Sequence, residues 1–148
     1  MRAYASAASD DRLHGCETPV VINSGSGNQG ITTSVPVIVY ARELGVSDEK
    51  LLRALTLSNL TTIHEKTPIG RLSAYCGAIS AGAGAGAGIA YLCGGDYEAV
   101  IHTVVNALAP RPPAQQRSQL RWRQVCWATI CTSAAISSAL VTALWPRA

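Results

Sequence analysis

Asn23-Ser24-Gly25-Ser26-Gly27-Asn28-Gln29-Gly30 is the stretch around which the rest of this chain is arranged. An apolar run at residues 19–22 leads into it, and a helical pattern at residues 31–44 follows it. Glycine tolerates positive φ and lets another molecule approach the backbone closely, and the free N–H groups at the start of a helix favour an anion. The stretch therefore predicts either a loop that holds a carboxylate or phosphate, or an ordinary tight surface turn.

The spacing of the three glycines at 25, 27 and 30 also fits the fingerprint of dinucleotide-binding proteins. That fingerprint requires a strand before the loop and a second strand after the helix. In this sequence a second helical pattern, which begins at Ser47, follows the first. The order of elements therefore disfavours a nicotinamide or flavin site.

Helical patterns cover most of the first 109 residues, in segments at 1–14, 31–44, 47–65, 69–93 and 96–109. Ser47 and Asp96 are favourable N-cap residues for two of them. The valine-rich middle of the segment at 31–44 is apolar nearly all round, which predicts burial. The predicted buried face of the segment at 47–65 consists of Leu51, Leu52, Leu55, Leu57, Leu60 and Ile63.

The segment at 69–93 is rich in alternating glycine and alanine, a pattern that a strand could also show. Helix is favoured because Gly94-Gly95 follows as a typical C-terminal cap. Each glycine inside a helix costs ~1 kcal/mol relative to alanine, so we expect compensation from close packing against another helix or a cofactor. The predicted fold class is mainly α, a partial domain in which the glycine-rich loop packs among buried helices of small residues.

The charge differs between two parts of the chain, and the cysteine content favours a reducing compartment. Residues 1–109 contain seven Lys/Arg and nine Asp/Glu, whereas residues 110–148 contain five Arg and no acidic residue. Five cysteines form no CxxC pair, and no secretory signal pattern precedes them. Such an odd set disfavours a disulfide framework, so we expect a cytoplasmic protein whose thiols are mostly buried. The histidines show no paired spacing, which disfavours zinc, and no nucleic-acid partner is expected.

Residues 110–148 differ in kind from the rest of the chain. Pro110-Arg111-Pro112-Pro113 ends the preceding helical pattern, and arginines surround Trp122. Residues 125–145 form a run of 21 uncharged residues, which is long enough to span a bilayer. Several Ser and Thr residues make the run only moderately apolar, so a membrane-tethered helical protein and a buried tail are alternatives here, with a membrane the less favoured.

Three runs resemble the L-cysteine desulfidase family, relatives of the iron–sulfur L-serine dehydratase alpha chain. They are Ala7-Ala8-Ser9-Asp10-x-Arg12, the run from Asn23 to Thr32, and Arg71-Leu72-Ser73-Ala74-x-Cys76. The resemblance covers residues 3–109 and is to the C-terminal half of the family. Residues 1–109 are therefore expected to be a partial serine dehydratase-like domain, and residues 110–148 a non-family tail. We hypothesise that the tail is a frameshift product, the out-of-frame reading of a GC-rich gene.

The resemblance implies a lyase that eliminates sulfide from L-cysteine, or water from L-serine, to give pyruvate and ammonia. It also implies a [4Fe–4S] cluster held by three cysteines, with an open iron that acts as a Lewis acid toward the amino-acid substrate. Cys76 looks like one of the three ligands. The loop residues expected to hold the substrate carboxylate are Ser24, Ser26, Asn28 and Gln29, and no catalytic residue is assigned.

The family's other two ligand blocks have no counterpart in this sequence. A GCTEP-like block belongs to an N-terminal half that this chain lacks, and Ala114-Gln115-Gln116-Arg117 stands where a later CDGA-type block would supply a cysteine. Neither Cys126 nor Cys131 matches that block. The chain alone is therefore expected to be inactive, and the active form to need a separate N-terminal half or a homo-oligomer. A non-catalytic helical protein is the alternative.

Overall fold

The computed structural model describes residues 2–70 and 77–108, which form a bundle of five α-helices. The helices are α1 (Arg2–Leu13), α2 (Gly27–Leu44), α3 (Asp48–Lys66), α4 (Gly77–Leu92) and α5 (Tyr97–Leu108). α4 packs against α2, α3 and α5, while α1 packs against α2. The mainly α fold class is confirmed, and the described residues contain no β-strand.

α4 is the centre of the bundle, and each of its residues from 80 to 90 is buried. Its glycines make room for the backbone of α3. A Cβ at Gly84 would lie 2.5 Å from the carbonyl oxygen of Ser58, and a Cβ at Gly88 would lie 3.0 Å from that of Ala54. The two helices therefore approach more closely than larger residues allow, which is the compensation that the glycine-rich sequence predicts.

The buried face of α3 differs from the predicted leucine stripe. Ala54, Ser58, Thr62 and Lys66 face the bundle, and three members of the stripe are exposed, namely Leu52, Leu60 and Ile63. The cause is the close spacing of α3 and α4, since only short side chains fit where two helix backbones nearly touch. The prediction of an inward leucine face is therefore wrong for those three positions.

α2 begins earlier than predicted and is less deeply buried. It starts at Gly27, inside the glycine-rich stretch, so Pro36 lies in the helix interior. Proline has no amide hydrogen to donate there, and one turn of the helix lacks its usual hydrogen bond. Of the three valines in the middle of α2, Val37 is completely buried, whereas Val35 and Val39 are half-buried. One face of α2 therefore meets the bundle, and the opposite face is half-buried.

The predicted helix ends are confirmed by their hydrogen bonds. Ser47 Oγ accepts from the N–H of Lys50 at 3.4 Å, and Asp96 Oδ1 accepts from the N–H of Ala99 at 2.9 Å. After α4, Gly94 has a φ of 85°. The following N–H of Gly95 donates to the carbonyl of Ala90 at 3.0 Å, as in a glycine-terminated helix.

The two described cysteines differ in environment. Cys93 is half-buried, and its thiol donates to the Tyr40 hydroxyl at 3.3 Å. Cys16 is exposed, so the expectation of a buried thiol is wrong there, and a hydrogen bond with the Thr18 hydroxyl lowers the pKa of its thiol. No helix within 2–70 and 77–108 is both long and apolar enough to cross a membrane. The run at 125–145 lies outside the described residues.

Candidate functional site

Residues 23–26 form a tight turn closed by two backbone hydrogen bonds. The N–H of Asn23 donates to the carbonyl of Ser26 at 3.2 Å, and the N–H of Ser26 donates to that of Asn23 at 3.1 Å. Between them Ser24 and Gly25 have φ angles of 47° and 90°, as in a type I′ turn. A positive φ is uncommon for a serine, so the turn is a defined structure. The structure therefore contains the tight turn that was one of the two predicted interpretations.

The turn leads directly into the N-terminus of α2. Ser26 has an extended backbone, and its hydroxyl accepts from the N–H of Gln29 at 3.5 Å, which makes it the N-cap. The N–H groups in the first turn of an α-helix have no intrahelical partner and form the positive end of the helix dipole. The tight turn and the anion-binding loop are thus compatible interpretations of one stretch.

Arg12 on α1 contacts this helix start and orients Asn28. Its Nη1 donates to Asn28 Oδ1 at 2.9 Å, and a Cβ at Gly27 would lie 2.7 Å from its Nε. A guanidinium carries donors alone, so it binds the oxygen of the amide and leaves Asn28 Nδ2 turned toward other acceptors. From the sequence, Arg12 was a member of a resembling run and had no assigned role.

Gln29 is buried beneath the turn, with 5% of its surface exposed. Its Nε2 is inaccessible to solvent and has no hydrogen-bond partner, whereas a Cβ at Gly77 would lie 2.5 Å from its Oε1. The side chain therefore lies between the first turn of α2 and Gly77 of α4. An unpaired buried amide costs about 1–3 kcal/mol and requires an explanation such as a bound ligand. The N-terminus of α2 and an unpaired donor favour an anion.

A cleft of about 520 Å³ lies between the turn and the C-terminal end of α3. Its walls are formed by Ile22, Ser24, Gly25, Ile63, Lys66, Thr67 and Gly70. Lys66 is buried to 5% exposure and brings a cation to this wall. Lys66 was not among the residues predicted from the sequence, although its i+4 spacing from Thr62 places it on the small-residue face of α3.

Glu65 is a second polar side chain that the sequence analysis missed. Both of its carboxylate oxygens are inaccessible and have no hydrogen-bond partner. Burial raises the pKa of Glu65 to about 7, because a carboxylate without donors is stabilised by taking up a proton. No signal in the sequence marks this position, since Glu65 follows an exposed His64 at the end of an ordinary helix.

The four predicted substrate-binding residues lie in the turn and the first turn of α2, but they have different neighbours. Ser24 lies in the wall of the cleft, and Ser26 caps α2. Asn28 is held by Arg12, and Gln29 faces the start of α4. Cys76, the predicted metal ligand, lies outside the described residues.

The described residues fit an anionic group better than they fit a metal. In the described part of the chain, no three His, Cys, Asp or Glu side chains lie close enough to hold a metal ion. The donors around Gln29 suit a carboxylate, or the sulfides of an iron–sulfur cluster, but they supply no ligand set. The arrangement defines a helical domain with a buried, unpaired amide donor in the first turn of α2.

The chain belongs to the serine dehydratase alpha chain family, which it matches over residues 1–110. It is 65% identical over 108 residues to the UPF0597 protein DSY1109 of Desulfitobacterium hafniense (strain Y51), a match covering 73% of this chain and 25% of that protein. UPF0597 proteins of Lachnoclostridium phytofermentans and Treponema denticola are 61% and 63% identical, over 73% and 69% of this chain and 26% and 24% of their own lengths. No solved structure matches the chain.

The comparisons confirm the family resemblance, which the sequence predicted over residues 3–109. Membership relates the chain to amino-acid lyases. The chain spans about a quarter of the length of the curated relatives that it matches.

Proposed function

We propose that this chain carries the carboxylate-binding part of a lyase that removes sulfide from L-cysteine, or water from L-serine, to give pyruvate and ammonia. The observation that carries the proposal is the buried, unpaired Nε2 of Gln29 at the N-terminus of α2. Family membership supports the lyase class. Both candidate substrates present a carboxylate, the group that this donor-rich position favours.

Binding of the carboxylate involves donors from two directions. The first turn of α2 offers backbone N–H groups, and the Arg12 bond to Asn28 Oδ1 leaves Asn28 Nδ2 as a further donor. Gln29 Nε2 is the buried donor, and hydrogen bonds from such donors to a carboxylate are about twice as strong as neutral ones. The Ser26 hydroxyl already accepts a hydrogen bond as the N-cap, so its proposed role is to hold the turn in place.

The cleft beside the turn is the proposed space for the rest of the substrate. Ser24 and Lys66 lie in its wall, and a hydroxyl and a buried cation suit the polar end of a small amino acid. The cluster implied by the resemblance would supply a Lewis-acid iron for departure of sulfide or water, with Cys76 as one ligand. The described residues contribute binding and orientation to that chemistry.

The proposal includes a partner polypeptide. The family description is that of an alpha chain, and the relatives are about four times as long as the matched region. The active form would combine this chain with the polypeptide that corresponds to the remaining three quarters of a relative. That polypeptide would bring the cysteine ligands that this sequence lacks.

A complementation assay tests the proposal. The full chain is mixed with the part of DSY1109 that the match leaves out, and iron and sulfide are added anaerobically. Pyruvate and sulfide are then measured with L-cysteine, and pyruvate with L-serine. Gln29→Met should lower kcat/KM at least tenfold, mainly through KM, because a carboxylate contact is lost in ground state and transition state alike.

Two serine caps provide a matched control. Ser26→Ala and Ser47→Ala each remove an N-cap hydrogen bond and each should cost ~1 kcal/mol of stability. We expect kcat/KM to fall with Ser26→Ala but not with Ser47→Ala, since Ser47 lies at the start of α3, outside the turn and the cleft. Absence of turnover in the wild-type mixture, or unchanged kinetics with Gln29→Met, would contradict the proposal.

A further inference from the structure

α5 presents four of its large apolar side chains outward. Tyr97, Ile101, Val105 and Leu108 are 79%, 41%, 56% and 48% exposed, and their spacing places them on one face of the helix. The opposite face, toward α4, carries the buried small residues Thr103 and Ala107. A surface helix ordinarily turns its apolar side inward. We call the four exposed residues the α5 stripe.

Packing against α4 fixes this orientation. A Cβ at Gly86 would lie 3.1 Å from the Thr103 methyl group, and the Thr103 hydroxyl donates to the carbonyl of Ala99 at 2.7 Å. Small residues alone fit at so close a contact, so α5 cannot turn to bury the stripe against α4. A contiguous apolar surface of this kind marks an interaction site.

We propose that the α5 stripe is the docking surface for the polypeptide that forms the other three quarters of the family domain. The family match ends at residue 110, two residues after α5, and the relatives contain about three times as much further polypeptide. α2, α3 and α5 already cover α4, so added polypeptide packs on outer faces. Residues 111–148 lie beyond the family match, so the relatives' further polypeptide is the occupant that we propose.

This inference extends the partner-chain part of the proposed function, and it is tested by binding. The full chain is titrated with the unmatched part of DSY1109, and the dissociation constant is measured by calorimetry. Val105→Glu and Ile101→Glu should each weaken binding at least tenfold. Leu52→Glu is the control, because Leu52 is 63% exposed on α3 and outside the stripe, and its effect should stay within twofold. Circular dichroism should show all three variants folded.

A photo-crosslinking amino acid at position 105 identifies the occupant directly. Crosslinks to the DSY1109 polypeptide support the proposal. Crosslinks to a second copy of the chain or to its residues 110–148, absence of wild-type binding, or equal binding by the stripe variants would overturn it. Crosslinks without turnover would support the docking surface and contradict the lyase proposal. Turnover together with normal binding by Val105→Glu would contradict the docking surface and leave the lyase proposal intact.

Discussion

Gln29 and Glu65 both bury polar atoms without partners, but their chemistry differs. The Gln29 amide does not titrate in the physiological pH range, so a change of pH cannot relieve the burial of its unpaired Nε2. The Glu65 carboxyl has a second route, because it can take up a proton and lose its charge. Burial raises the pKa of Glu65 to about 7, which makes its state sensitive to pH in the neutral range.

Glu65→Gln should therefore stabilise the protein at pH 8 and leave its stability unchanged at pH 4.5. The folded-state pKa of about 7 lies above the reference value of 4.5, so the fold prefers the protonated carboxyl. Its stabilisation is complete below pH 4.5 and is lost as the pH rises through 7. With partial exposure discounted, we expect a gain of roughly 1–2 kcal/mol at pH 8.

Urea unfolding at the two pH values measures this difference. Glu43→Gln serves as the control, because Glu43 is an exposed residue near the end of α2, and its effect should be small at both pH values. Equal stabilisation by Glu65→Gln at pH 4.5 and pH 8 would show that the carboxyl is not the cause.

The sequence predicted the loop of the site but not the residues around it. Glycines followed by a helical pattern indicate a turn and a helix N-terminus, and both are present at residues 23–30. Arg12 and Lys66 belong to other helices, so their approach to the turn depends on packing. Local patterns carry no information about which charged side chains tertiary structure brings together.

At the scale of the helices, α3 and α4 are held by close contact and a small polar network. Thr62 Oγ1 donates to the carbonyl of Ser58 at 3.0 Å, and Ser58 Oγ donates to the carbonyl of Thr33 on α2 at 2.9 Å. Each buried hydroxyl has a partner, so the network links three helices without a desolvation penalty. Close spacing and satisfied hydroxyls are features of the same helix pair.

Gly84→Ala should destabilise the protein far more than Gly86→Ala. A methyl group at position 84 meets the Thr62 hydroxyl and lies 2.5 Å from the Ser58 carbonyl oxygen, whereas one at position 86 lies 3.1 Å from a single threonine methyl. Overpacking against backbone outweighs the ~1 kcal/mol gain in helix propensity, and we expect a net loss of roughly 2 kcal/mol.

Thermal and urea unfolding of the two variants provide the comparison. Gly86→Ala should change stability by less than about 1 kcal/mol, because the Thr103 side chain can shift and the propensity gain opposes the contact. Equal losses for both variants would mean that the approach of α3 to α4 does not determine the effect.

The presence of the helices was predictable from this sequence, whereas the face that each helix buries was less predictable. Caps at Ser47, Asp96 and Gly94 marked ends that the structure confirms. The inward face of α3 was assigned to leucines because hydrophobicity usually decides burial. In this protein the glycine-rich helix α4 decides which face of α3 is buried. The backbones of the two helices lie so close that Ser58 fits between them and Leu60 does not.

At the scale of the whole molecule, the bundle has features of a part of a larger domain. Its centre is buried and close-packed, yet large apolar side chains are exposed on α1, α3 and α5. The matched region corresponds to a quarter of the relatives. The division at residue 109 and the frameshift origin of residues 110–148 stay predictions, and recovery of an in-frame family C-terminus downstream at the locus would support them.

The chain alone is predicted to hold no stable [4Fe–4S] cluster and to release no sulfide from L-cysteine. By resemblance it carries one of three cysteine ligands, Cys76, and the described residues offer no group of three metal-binding side chains. Thiolates are the ligands that hold such clusters, so one thiolate should leave the cluster labile. Anaerobic reconstitution followed by visible absorbance and electron paramagnetic resonance measures cluster content, and a sulfide assay measures turnover.

Comparison of the chain alone with the complemented mixture separates a missing ligand set from a misfolded chain. In the mixture, Cys76→Ala should abolish the cluster signal, whereas Cys93→Ala should retain it, because the Cys93 thiol is bonded to Tyr40 within the described bundle. Circular dichroism of both variants should match that of the unmodified chain. A stable cluster spectrum with sulfide release from the chain alone would contradict the prediction. It would mean that ligands from this sequence, in one copy or several, suffice.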